Sequence, residues 1–492
     1  MAPSHAKELV YRGGHALRVA VISAFLLAPC FWHRHLEAGD LGSHVYNAWL
    51  AELVRSGRAP GLWIATQWNN VLFDWMLDGL GSCLGLMAAE KIAVAASVLV
   101  FFWGAFALVS ALTGRRPWFL VPVLAMVTYG WTFYMGFFNY HLSIGLSLWA
   151  LVCLLRSGGM WKLLAAALGA MTWFAHPMGT LWLVCAAAYF ALASVAGRRV
   201  QVALAAAAAA VLFLAGHILR AHFETSFLTF ATACGVNGSD QIVLREPYRL
   251  LAIALTLSGF LVVFGEYVKC RFEPGRFWPR FGMPIQLFLI LWVGAWALPD
   301  FIAIPGMGRF GFIAERSSLI SAVLACAVIG AAGYRRSLAI YCWAIAACYF
   351  ALSYQDTGVL SRMETKVDSL LSAVGSGQRV FSTIDFGQRG SRLLFNHMVD
   401  RECVGRCFSF GNYEPATGHF RIRAKPDNGI VAATKFDVDA IWGGAYVVNA
   451  TDLPAYGVYQ PGGDWTVLAI RPLHAGEENG RRVVSQAAGP IP

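Results

Sequence analysis

The chain has 492 residues, of which 58% are hydrophobic and only 13% are charged. Its mean hydropathy of +0.56 excludes an ordinary soluble domain and is typical of a polytopic membrane protein. A positive net charge, here +10, is common in proteins that bind nucleic acids. The excess basic residues of this chain lie in short loops between apolar runs, so we expect no nucleic-acid partner.

Apolar runs long enough, or nearly so, to cross roughly 30 Å of hydrocarbon predict an α-helical membrane bundle. The expected transmembrane helices, about eleven in number, lie at 17–32, 89–113, 117–135, 137–155, 161–177, 179–196, 200–219, 248–268, 283–298, 315–334 and 337–354. Basic residues such as Arg115, Arg198 and Arg335 gather in alternate loops. The positive-inside rule then predicts an N-terminus inside and a C-terminus outside, in a bacterial inner (plasma) membrane.

The first outer loop, residues 33–88, is long and contains an amphipathic helix. Ser43 can cap this helix, residues 45–54 carry its apolar stripe, and Gly57 ends it. Such a helix is expected to lie flat in the membrane interface, which would hold the preceding acids near headgroup depth. Residues 1–355, this periplasmic loop included, are predicted to form the bundle domain.

From about residue 356 the composition changes, and residues 356–492 predict a small periplasmic domain of the α/β or α+β class. The expected secondary structure comprises strands at 379–384, 430–433, 445–449 and 465–470 and a helix near 392–399. The end of the chain, 478–492, is predicted to be disordered.

Cys403 and Cys407 lie in this domain, on the side of the membrane that is predicted to be oxidising. A disulfide that closes the short loop between them is the expected pairing. A metal site is the alternative, although the spacing lacks a second pair of ligands.

Polar and ionisable residues gather on the predicted outer face of the bundle. Such side chains are costly at membrane depth and usually line a polar cavity or pathway. The candidates for catalysis or binding are Glu37, Asp40, His44, Asn139, His141, His176, Arg220, His222, Arg245, Arg309 and Arg316.

The N-terminal half carries a family resemblance. A short first span, an acid in a long first outer loop, and an amphipathic helix that ends in the pattern LVRSGRAPG at residues 53–61 resemble the GT-C superfamily of integral-membrane glycosyltransferases. Oligosaccharyltransferases, protein O-mannosyltransferases and lipid A aminoarabinose transferases belong to it. The resemblance is strongest over residues 17–200. It also includes the domain order, in which a membrane bundle is followed by an outer soluble domain.

The resemblance implies a catalytic acid in the first outer loop. It also implies a sugar donor linked to a polyprenyl phosphate or polyprenyl diphosphate. On this chain the implied acid is Asp40, with Glu37 as the second choice. The acceptor, whether a glycan, a lipid or a protein, is not specified by the resemblance.

Sugar transfer from a lipid phosphate needs a base for the acceptor hydroxyl, cations for the phosphate, and a cavity that opens sideways to lipid. Asp40 can act as the general base, and His44 can orient it or shuttle the proton. Guanidinium groups bind phosphate through two parallel hydrogen bonds, so the predicted phosphate ligands are Arg220, Arg245, Arg309 and Arg316. The predicted substrate-binding set is completed by Asn139, His141, His176 and His222.

The spacing of the acids is compatible with two modes of catalysis, with or without a metal ion. The acids here are spaced as Glu37-x-x-Asp40, whereas better-known branches of the superfamily carry two adjacent acids or Asp-x-Asp. A divalent ion, Mg²⁺ or Mn²⁺, is therefore one alternative, and catalysis without a metal is the other. No other cofactor is expected.

Two other classes of protein fit the same composition. A non-catalytic GT-C-like scaffold or assembly protein is one, because a fold alone does not establish chemistry. A lipid or solute transporter is the other, although the chain lacks visible inverted repeats. Single residues also have structural alternatives: Asp40 as a helix-start acid, His176 as a helix end, and Arg316 as an ion-pair partner.

Overall fold

A computed structural model describes residues 3–271, 274–305, 308–384, 392–393, 397–461 and 467–480. The chain divides into two compact units. The first comprises Met1–Leu36, Trp68–Met76 and Met87–Thr357, and the second comprises Glu37–Gln67, Leu77–Leu86 and Gly358–Pro492.

The described residues form α-helices and short strands, numbered here in chain order. The helices are α1 (Pro3–Leu27), α2 (Leu41–Arg55), α3 (Leu72–Leu84), α4 (Leu86–Thr113), α5 (Val121–Thr128), α6 (Trp131–Tyr134), α7 (Phe138–Leu154), α8 (Gly159–Ala175), α9 (Pro177–Ser194), α10 (Arg198–His222), α11 (Phe230–Gly235), α12 (Glu246–Cys270), α13 (Pro274–Ala297), α14 (Ile313–Ala332), α15 (Arg336–Leu371), α16 (Met398–Glu402), α17 (Glu414–Thr417) and α18 (Lys435–Trp442). The strands are β1 (Leu62–Ile64), β2 (Glu224–Ser226), β3 (Phe301–Ile304), β4 (Gly308–Phe310), β5 (Arg379–Ser382), β6 (Phe408–Ser409), β7 (Ile422–Ala424), β8 (Ala455–Tyr459) and β9 (Ala469–Leu473).

The first unit is built mainly from apolar helices. In the described part of the chain, 7 helices are long and apolar enough to cross a membrane: α4, α9, α10, α12, α13, α14 and α15. Shorter apolar stretches cover Gly14–Cys30, Trp118–Tyr134 and Phe138–Leu154. These helices agree with a helical membrane protein, while the count of eleven spans and the N-inside orientation stay predictions.

The segment predicted to span at 117–135 is not one continuous helix. α5 ends at Thr128, and α6 begins at Trp131 because Gly130 adopts an extended conformation between them. Oγ1 of Thr132 donates to Oε1 of Gln241 at 2.8 Å, which ties the break to another segment. A broken apolar helix is tolerated in a membrane protein where the freed backbone groups are surrounded by protein.

Two glycines bring α4 and α7 into close contact. A Cβ atom at Gly104 would lie 2.7 Å from the carbonyl oxygen of Gly145, and one at Gly145 would lie 2.8 Å from the backbone of Phe101. Small residues allow helices to pack tightly in lipid, where the hydrophobic effect does not drive their association. The two glycines therefore fix the packing of α7 on α4.

A four-stranded mixed sheet, in the order β6-β5-β8-β9, forms the centre of the second unit. β5 runs parallel to β6 and to β8, whereas β9 is antiparallel to β8. Phe381 of β5, Phe410 after β6 and Ile441 of α18 are buried in one apolar cluster. The helices and the mixed sheet agree with the predicted α/β or α+β class.

The second unit also contains most of the loop 33–88, which the sequence analysis assigns to the bundle. β1 pairs antiparallel with β7, with Trp63 opposite Arg423, and α2 packs against α16. The predicted assignment of the loop is corrected accordingly, because its helix and strand find partners in the C-terminal segment. The boundary predicted at 355/356 lies close to the division after Thr357.

α2 differs from its prediction in two respects. It begins at Leu41, so Ser43 lies inside the first turn and is not the cap. Its apolar stripe packs against protein: Tyr46 is fully buried, and the rings of Trp49 and Phe408 stack with centroids 5.8 Å apart. An amphipathic pattern shows which side of a helix is apolar, but lipid and protein can cover that side equally well.

The strands of the second unit are predicted in part. Segment 379–384 contains β5, and segment 465–470 overlaps β9 from Ala469. The strand predicted at 430–433 is wrong: this segment bends, and Oδ1 of Asn428 accepts hydrogen bonds from the N–H groups of the first two residues. Segment 445–449 contributes one isolated bridge, between Val447 and Glu478.

Three further predictions concern the C-terminal unit. The helix predicted at 392–399 falls partly on 394–396, outside the described residues, and α16 begins at Met398. Most of the predicted disordered end, 481–492, also lies outside the described residues. A disulfide joins Cys403 and Cys407 just after α16, which is the pairing that the sequence analysis expects.

Candidate functional site

Asp40 lies at the start of α2, in the second unit. It occupies the N-cap position, but its side chain makes no capping hydrogen bond to the helix. The side chain is 23% exposed, whereas the side chains of Glu37 and His44 are buried. Asp40 therefore offers a carboxylate that solvent can reach.

His397 lies beside Asp40. Its Nε2 atom is 3.7 Å from Oδ1 of Asp40, and its Nδ1 atom donates to Oδ2 of Asp400 at 2.6 Å. α16 positions this pair, because His397 is the N-cap residue of α16 and Asp400 lies in its first turn. The imidazole thus lies between a partly exposed carboxylate and a buried one. We call Asp40, His397 and Asp400 the acid–imidazole line.

Asp400 is held at both of its carboxylate oxygens. Oδ1 accepts a hydrogen bond from Oγ of Ser409, and Oδ2 accepts one from Nδ2 of Asn412 at 2.9 Å. A buried carboxylate needs donors of this kind to offset its lost hydration. A carboxylate that contacts Nδ1 also fixes the tautomer and the orientation of an imidazole. Asp400 therefore holds the ring of His397 in place.

The environment of His397 favours its cationic form. Burial lowers the pKa of the His397 imidazole, but the hydrogen bond to Asp400 and the negative charges of Asp400, Asp40 and Glu414 raise this pKa, and the raising effects prevail. The protonated ring therefore stabilises the fold below its unfolded pKa, and this contribution is lost as pH rises through the folded pKa. The imidazolium places a positive charge 3.7 Å from the carboxylate of Asp40.

Aromatic rings cover the imidazole of His397. The ring centroids of Tyr413 and Trp442 lie 5.3 Å and 6.1 Å from that of His397. His397 itself is only 3% exposed. Solvent therefore reaches the acid–imidazole line through Asp40 rather than through the ring.

Gly42 allows α2 to approach the backbone of His397. A Cβ atom at position 42 would lie 2.2 Å from the carbonyl oxygen of His397 and 3.0 Å from its carbonyl carbon. Real Cβ atoms do not approach backbone atoms this closely, so any larger residue would push α2 and α16 apart. The contact between Asp40 and His397 depends on this absence of a side chain.

We expect Gly42→Ala to destabilise the protein by about 1–3 kcal/mol, the usual cost of overpacking. Intrinsic helix propensity alone predicts the opposite effect, because it favours alanine over glycine by about 1 kcal/mol. Gly79 is a matched control, because it lies in α3 and a Cβ atom there would meet nothing within 4 Å. Thermal unfolding, followed by tryptophan fluorescence, should show a lower midpoint for Gly42→Ala and an unchanged or higher one for Gly79→Ala. A midpoint for Gly42→Ala at or above that of the wild type would contradict the close approach.

Glu37, the second-choice catalytic acid, belongs to a buried ion cluster. Nε of Arg401 donates to Oε1 of Glu364 at 2.6 Å, and Nη2 donates to the other oxygen of Glu364. The same Nη2 atom lies 3.7 Å from Oε2 of Glu37. All three side chains are at most 3% exposed. These contacts favour a structural role for Glu37.

His44 lies inside α2 and contacts the start of α17. Its Nδ1 atom is 3.9 Å from Oε1 of Glu414, and Oγ of Ser43 donates to the same oxygen at 3.0 Å. One turn further on, Nδ2 of Asn47 donates to Oδ1 of Asn412 at 3.1 Å. This polar face joins α2 to residues 412–414. The contacts favour a structural role for His44, and its predicted role at Asp40 stays a prediction.

Asn139 and His141 lie in α7 of the first unit and bind other parts of that unit. Nδ2 of Asn139 donates to Oδ2 of Asp74 at 2.9 Å. The two ring nitrogens of His141 lie 3.0 Å from Oγ of Ser97 and 3.2 Å from the carbonyl oxygen of Thr128. These contacts hold helices together and favour the structural alternative for both residues.

Arg316 and His176 both contact Tyr140 in the first unit. The guanidinium carbon of Arg316 lies 4.2 Å from the ring centroid of Phe137 and 5.9 Å from that of Tyr140. The ring of His176 meets that of Tyr140 edge-on at 5.3 Å. Nδ1 of His176 also accepts a hydrogen bond from the N–H of Met178, so His176 caps α9. Two of the predicted substrate-binding residues are thus brought together.

Arg245 has a partner of opposite charge. Its Nε atom donates to Oδ2 of Asp356 at 2.8 Å, and the hydroxyl of Tyr248 donates to the same oxygen at 2.7 Å. A guanidinium engaged in this way would have to exchange its carboxylate for a phosphate. The structure therefore favours the structural alternative for Arg245.

Arg220, His222 and Arg309 are exposed residues of the first unit. The guanidinium carbon of Arg220 lies 4.1 Å from the ring centroid of Phe227, and that of Arg309 lies 5.9 Å from the ring centroid of Phe301. Both contacts are cation–π interactions, which leave the donor edges of the guanidinium available to an anion. A role in phosphate binding stays a prediction for these residues.

Sequence patterns do not predict roles for His397, Asp400 and Arg401, which complete the acid–imidazole line and the buried ion cluster of Glu37. In the sequence these three ionisable residues are spaced i, i+3 and i+4, and they flank the apolar residues 398–399, which are buried. Ionisable residues that share one helical turn with buried apolar ones are usually paired. The local sequence gives no indication that the partner is Asp40.

No protein-family model, no curated protein and no solved structure matches this chain. The chemistry of the acid–imidazole line is therefore inferred from its geometry. A partly exposed carboxylate, beside an imidazole that a second carboxylate anchors, can accept a proton from a substrate hydroxyl.

Proposed function

We propose that this protein is a membrane glycosyltransferase that moves a sugar from a polyprenyl-phosphate donor to an acceptor hydroxyl, with Asp40 as the general base. The observation that carries the proposal is the acid–imidazole line, in which Asp40 is the exposed end. The donor class follows from the GT-C resemblance, and the apolar helices of the first unit suit a lipid-linked donor. We place the reaction at the outer face of a bacterial inner membrane, with the C-terminal unit periplasmic.

In the proposed reaction Asp40 takes the proton of the acceptor hydroxyl. The acceptor oxygen forms a bond to the anomeric carbon of the sugar as the bond from that carbon to the phosphate oxygen breaks. The electron pair of the broken bond leaves with the polyprenyl phosphate. His397 acts as a positioning residue, because its cationic ring places a positive charge beside the carboxylate that takes the proton.

The phosphate of the donor needs a cationic partner as it leaves. The predicted phosphate ligands Arg220, Arg309 and Arg316 are candidates for this role. Arg245 is less suitable because Asp356 already binds it. A divalent ion, Mg²⁺ or Mn²⁺, would supply the same positive charge if the reaction uses one.

The test is donor turnover by the purified protein in lipid nanodiscs. We expect it to release polyprenyl phosphate from at least one member of a panel of polyprenyl-phosphate-linked hexoses, pentoses and aminopentoses. A membrane extract serves as the source of acceptor, and mass spectrometry measures the released lipid, so the acceptor need not be known. Heat-denatured protein is the control. If no donor gives release above that control, the proposal is wrong.

A non-catalytic scaffold is the second candidate. The ion pair of Arg245 and Asp356 favours it, because the pair removes one predicted phosphate ligand. The same assay separates the candidates: a scaffold releases no polyprenyl phosphate with any donor, and a transporter moves the lipid-linked sugar without breaking its phosphate bond.

A further inference from the structure

The first unit contains a cavity of about 890 Å³, and Asp40, His397 and Asp400 are not among the residues that line it. Its lining comes from α1, from α4 with the residues that follow it, and from the C-terminal end of α7. Cavities of roughly 300–1,000 Å³ are the usual size of small-molecule sites. This cavity is therefore large enough for part of a lipid or for a compact ligand.

Three arginines line this cavity: Arg115, Arg116 and Arg156. All three are exposed, and among the described residues that line the cavity none is acidic. Positive charge of this kind is complementary to an anionic ligand. The arginines lie in loops that the sequence analysis predicts to be cytoplasmic, where anionic lipids give the leaflet a negative surface potential.

The walls of the cavity are apolar and aromatic. Trp103, Trp118 and Trp149 line it together with aliphatic residues. The indole N–H of Trp103 donates to Oγ of Ser23 at 3.0 Å, and that of Trp149 donates to the carbonyl oxygen of Val100 at 3.1 Å. These bonds satisfy the polar edges of the two indoles within the protein, so the faces they offer to a ligand are apolar.

The arginines differ in their attachment to the protein. Nη2 of Arg115 donates to the carbonyl oxygen of Ala331 at 3.0 Å, which ties Arg115 to the end of α14. The guanidinium carbon of Arg156 lies 4.3 Å from the ring centroid of Trp161, a stacking contact that leaves its in-plane donors available. Arg116 and Arg156 are therefore the better candidates for binding an anion.

We propose that this cavity binds an anionic phospholipid of the surrounding membrane. Arg116 and Arg156 hold the phosphate, and the first part of an acyl chain lies against Trp103 and Trp149. The combination of positive charge and apolar wall selects a membrane lipid over free phosphate, since free phosphate would gain nothing from the aromatic wall. Basic pockets between transmembrane helices bind anionic headgroups in this way. The inference is independent of the proposed glycosyltransferase activity.

The test compares two lipids with the same chains on the purified full-length protein. Native mass spectrometry from detergent should show that dioleoyl-phosphatidylglycerol is retained more strongly than dioleoyl-phosphatidylcholine. The double variant Arg116→Gln/Arg156→Gln should lower the retention of phosphatidylglycerol at least about fivefold. Arg199→Gln is the matched control, because Arg199 is an exposed arginine of α10 that does not line the cavity. It should leave retention unchanged.

Three outcomes would overturn the proposal. One is equal retention of the two lipids by the wild type, and another is equal loss of phosphatidylglycerol in the double variant and in Arg199→Gln. The third is displacement of phosphatidylglycerol by a large excess of inorganic phosphate, which would make the cavity an anion site without lipid preference. The comparison of the two lipids on the wild type decides the question even if the double variant does not fold.

Discussion

Replacement of Asp40 by Asn is expected to lower the release of polyprenyl phosphate at least about 100-fold, within the range for loss of general acid–base catalysis. Asparagine keeps the size and polarity of the side chain but cannot accept the proton. Because the Asp40 side chain is 23% exposed, the fold and the retention of donor lipid should be preserved. The measurement is the donor-turnover assay, with size-exclusion chromatography to confirm folding.

Glu52→Gln is the control for this variant. Glu52 lies in α2, the helix that Asp40 precedes. Its side chain is 62% exposed, and its ion pair with Arg58 is at the surface, so turnover should not change. Asp40→Asn with the turnover of the wild type would exclude Asp40 as the base.

His397→Gln, measured in the same assay, tests whether His397 acts as a positioning residue. It should reduce turnover less than Asp40→Asn does, because glutamine removes the positioning group but leaves the base. The acid limb of the pH–rate profile should also move to higher pH, since a neutral glutamine no longer places a positive charge beside the carboxylate of Asp40.

Arg401→Met is expected to destabilise the protein by about 3–5 kcal/mol, the usual cost of removing one partner of a buried ion pair. The arginine binds Glu364 and lies 3.7 Å from Glu37, and all three side chains are nearly inaccessible. Without it, the buried carboxylate of Glu364 would lose the cation that binds both of its oxygens. We expect a large fall in the thermal midpoint and a loss of folded protein in size-exclusion chromatography.

Arg406→Gln is the matched control for Arg401→Met. Arg406 follows α16 and pairs with Asp368 at 3.0 Å, but its side chain is 36% exposed and that of Asp368 is 21% exposed. Exposed pairs of this kind contribute up to about 1 kcal/mol. A thermal midpoint for Arg401→Met equal to that of Arg406→Gln would show that the cluster does not hold the second unit together. Glu364→Gln in the Arg401→Met background should recover part of the loss, because it removes the buried charge that Arg401 binds.

Composition and hydrophobic run length predict the helical membrane class because they reflect what the chain must bury, whatever its topology. The disulfide is predicted for a local reason, since only four residues separate Cys403 from Cys407. The span at 117–135 shows the limit of this reasoning. Its apolar run is long enough to cross, yet Gly130 breaks the helix, and the partner at the break, Gln241, is distant in sequence.

The sequence predicts a role for Asp40 but not for His397, because a sequence pattern reports local structure and not contacts between distant segments. A carboxylate beside an amphipathic helix is a local pattern, whereas its imidazole partner comes from a turn that only the folded second unit brings close. Glu37 illustrates the opposite case. Its position in a loop suggests a solvated acid, and the ion pair that buries it depends on Arg401, which no local pattern connects to it.

The contacts of α2 have a consequence for how the protein is made. The hydroxyl of Tyr46 accepts a hydrogen bond from the N–H of Ser409, and 363 residues separate the two. At about 5–20 residues per second, ribosomal synthesis of that interval takes roughly 20–70 s. During this time α2 is complete but lacks the segment that covers its apolar stripe. The buried face of α2 therefore gains its final contacts only after residue 409 has been translated.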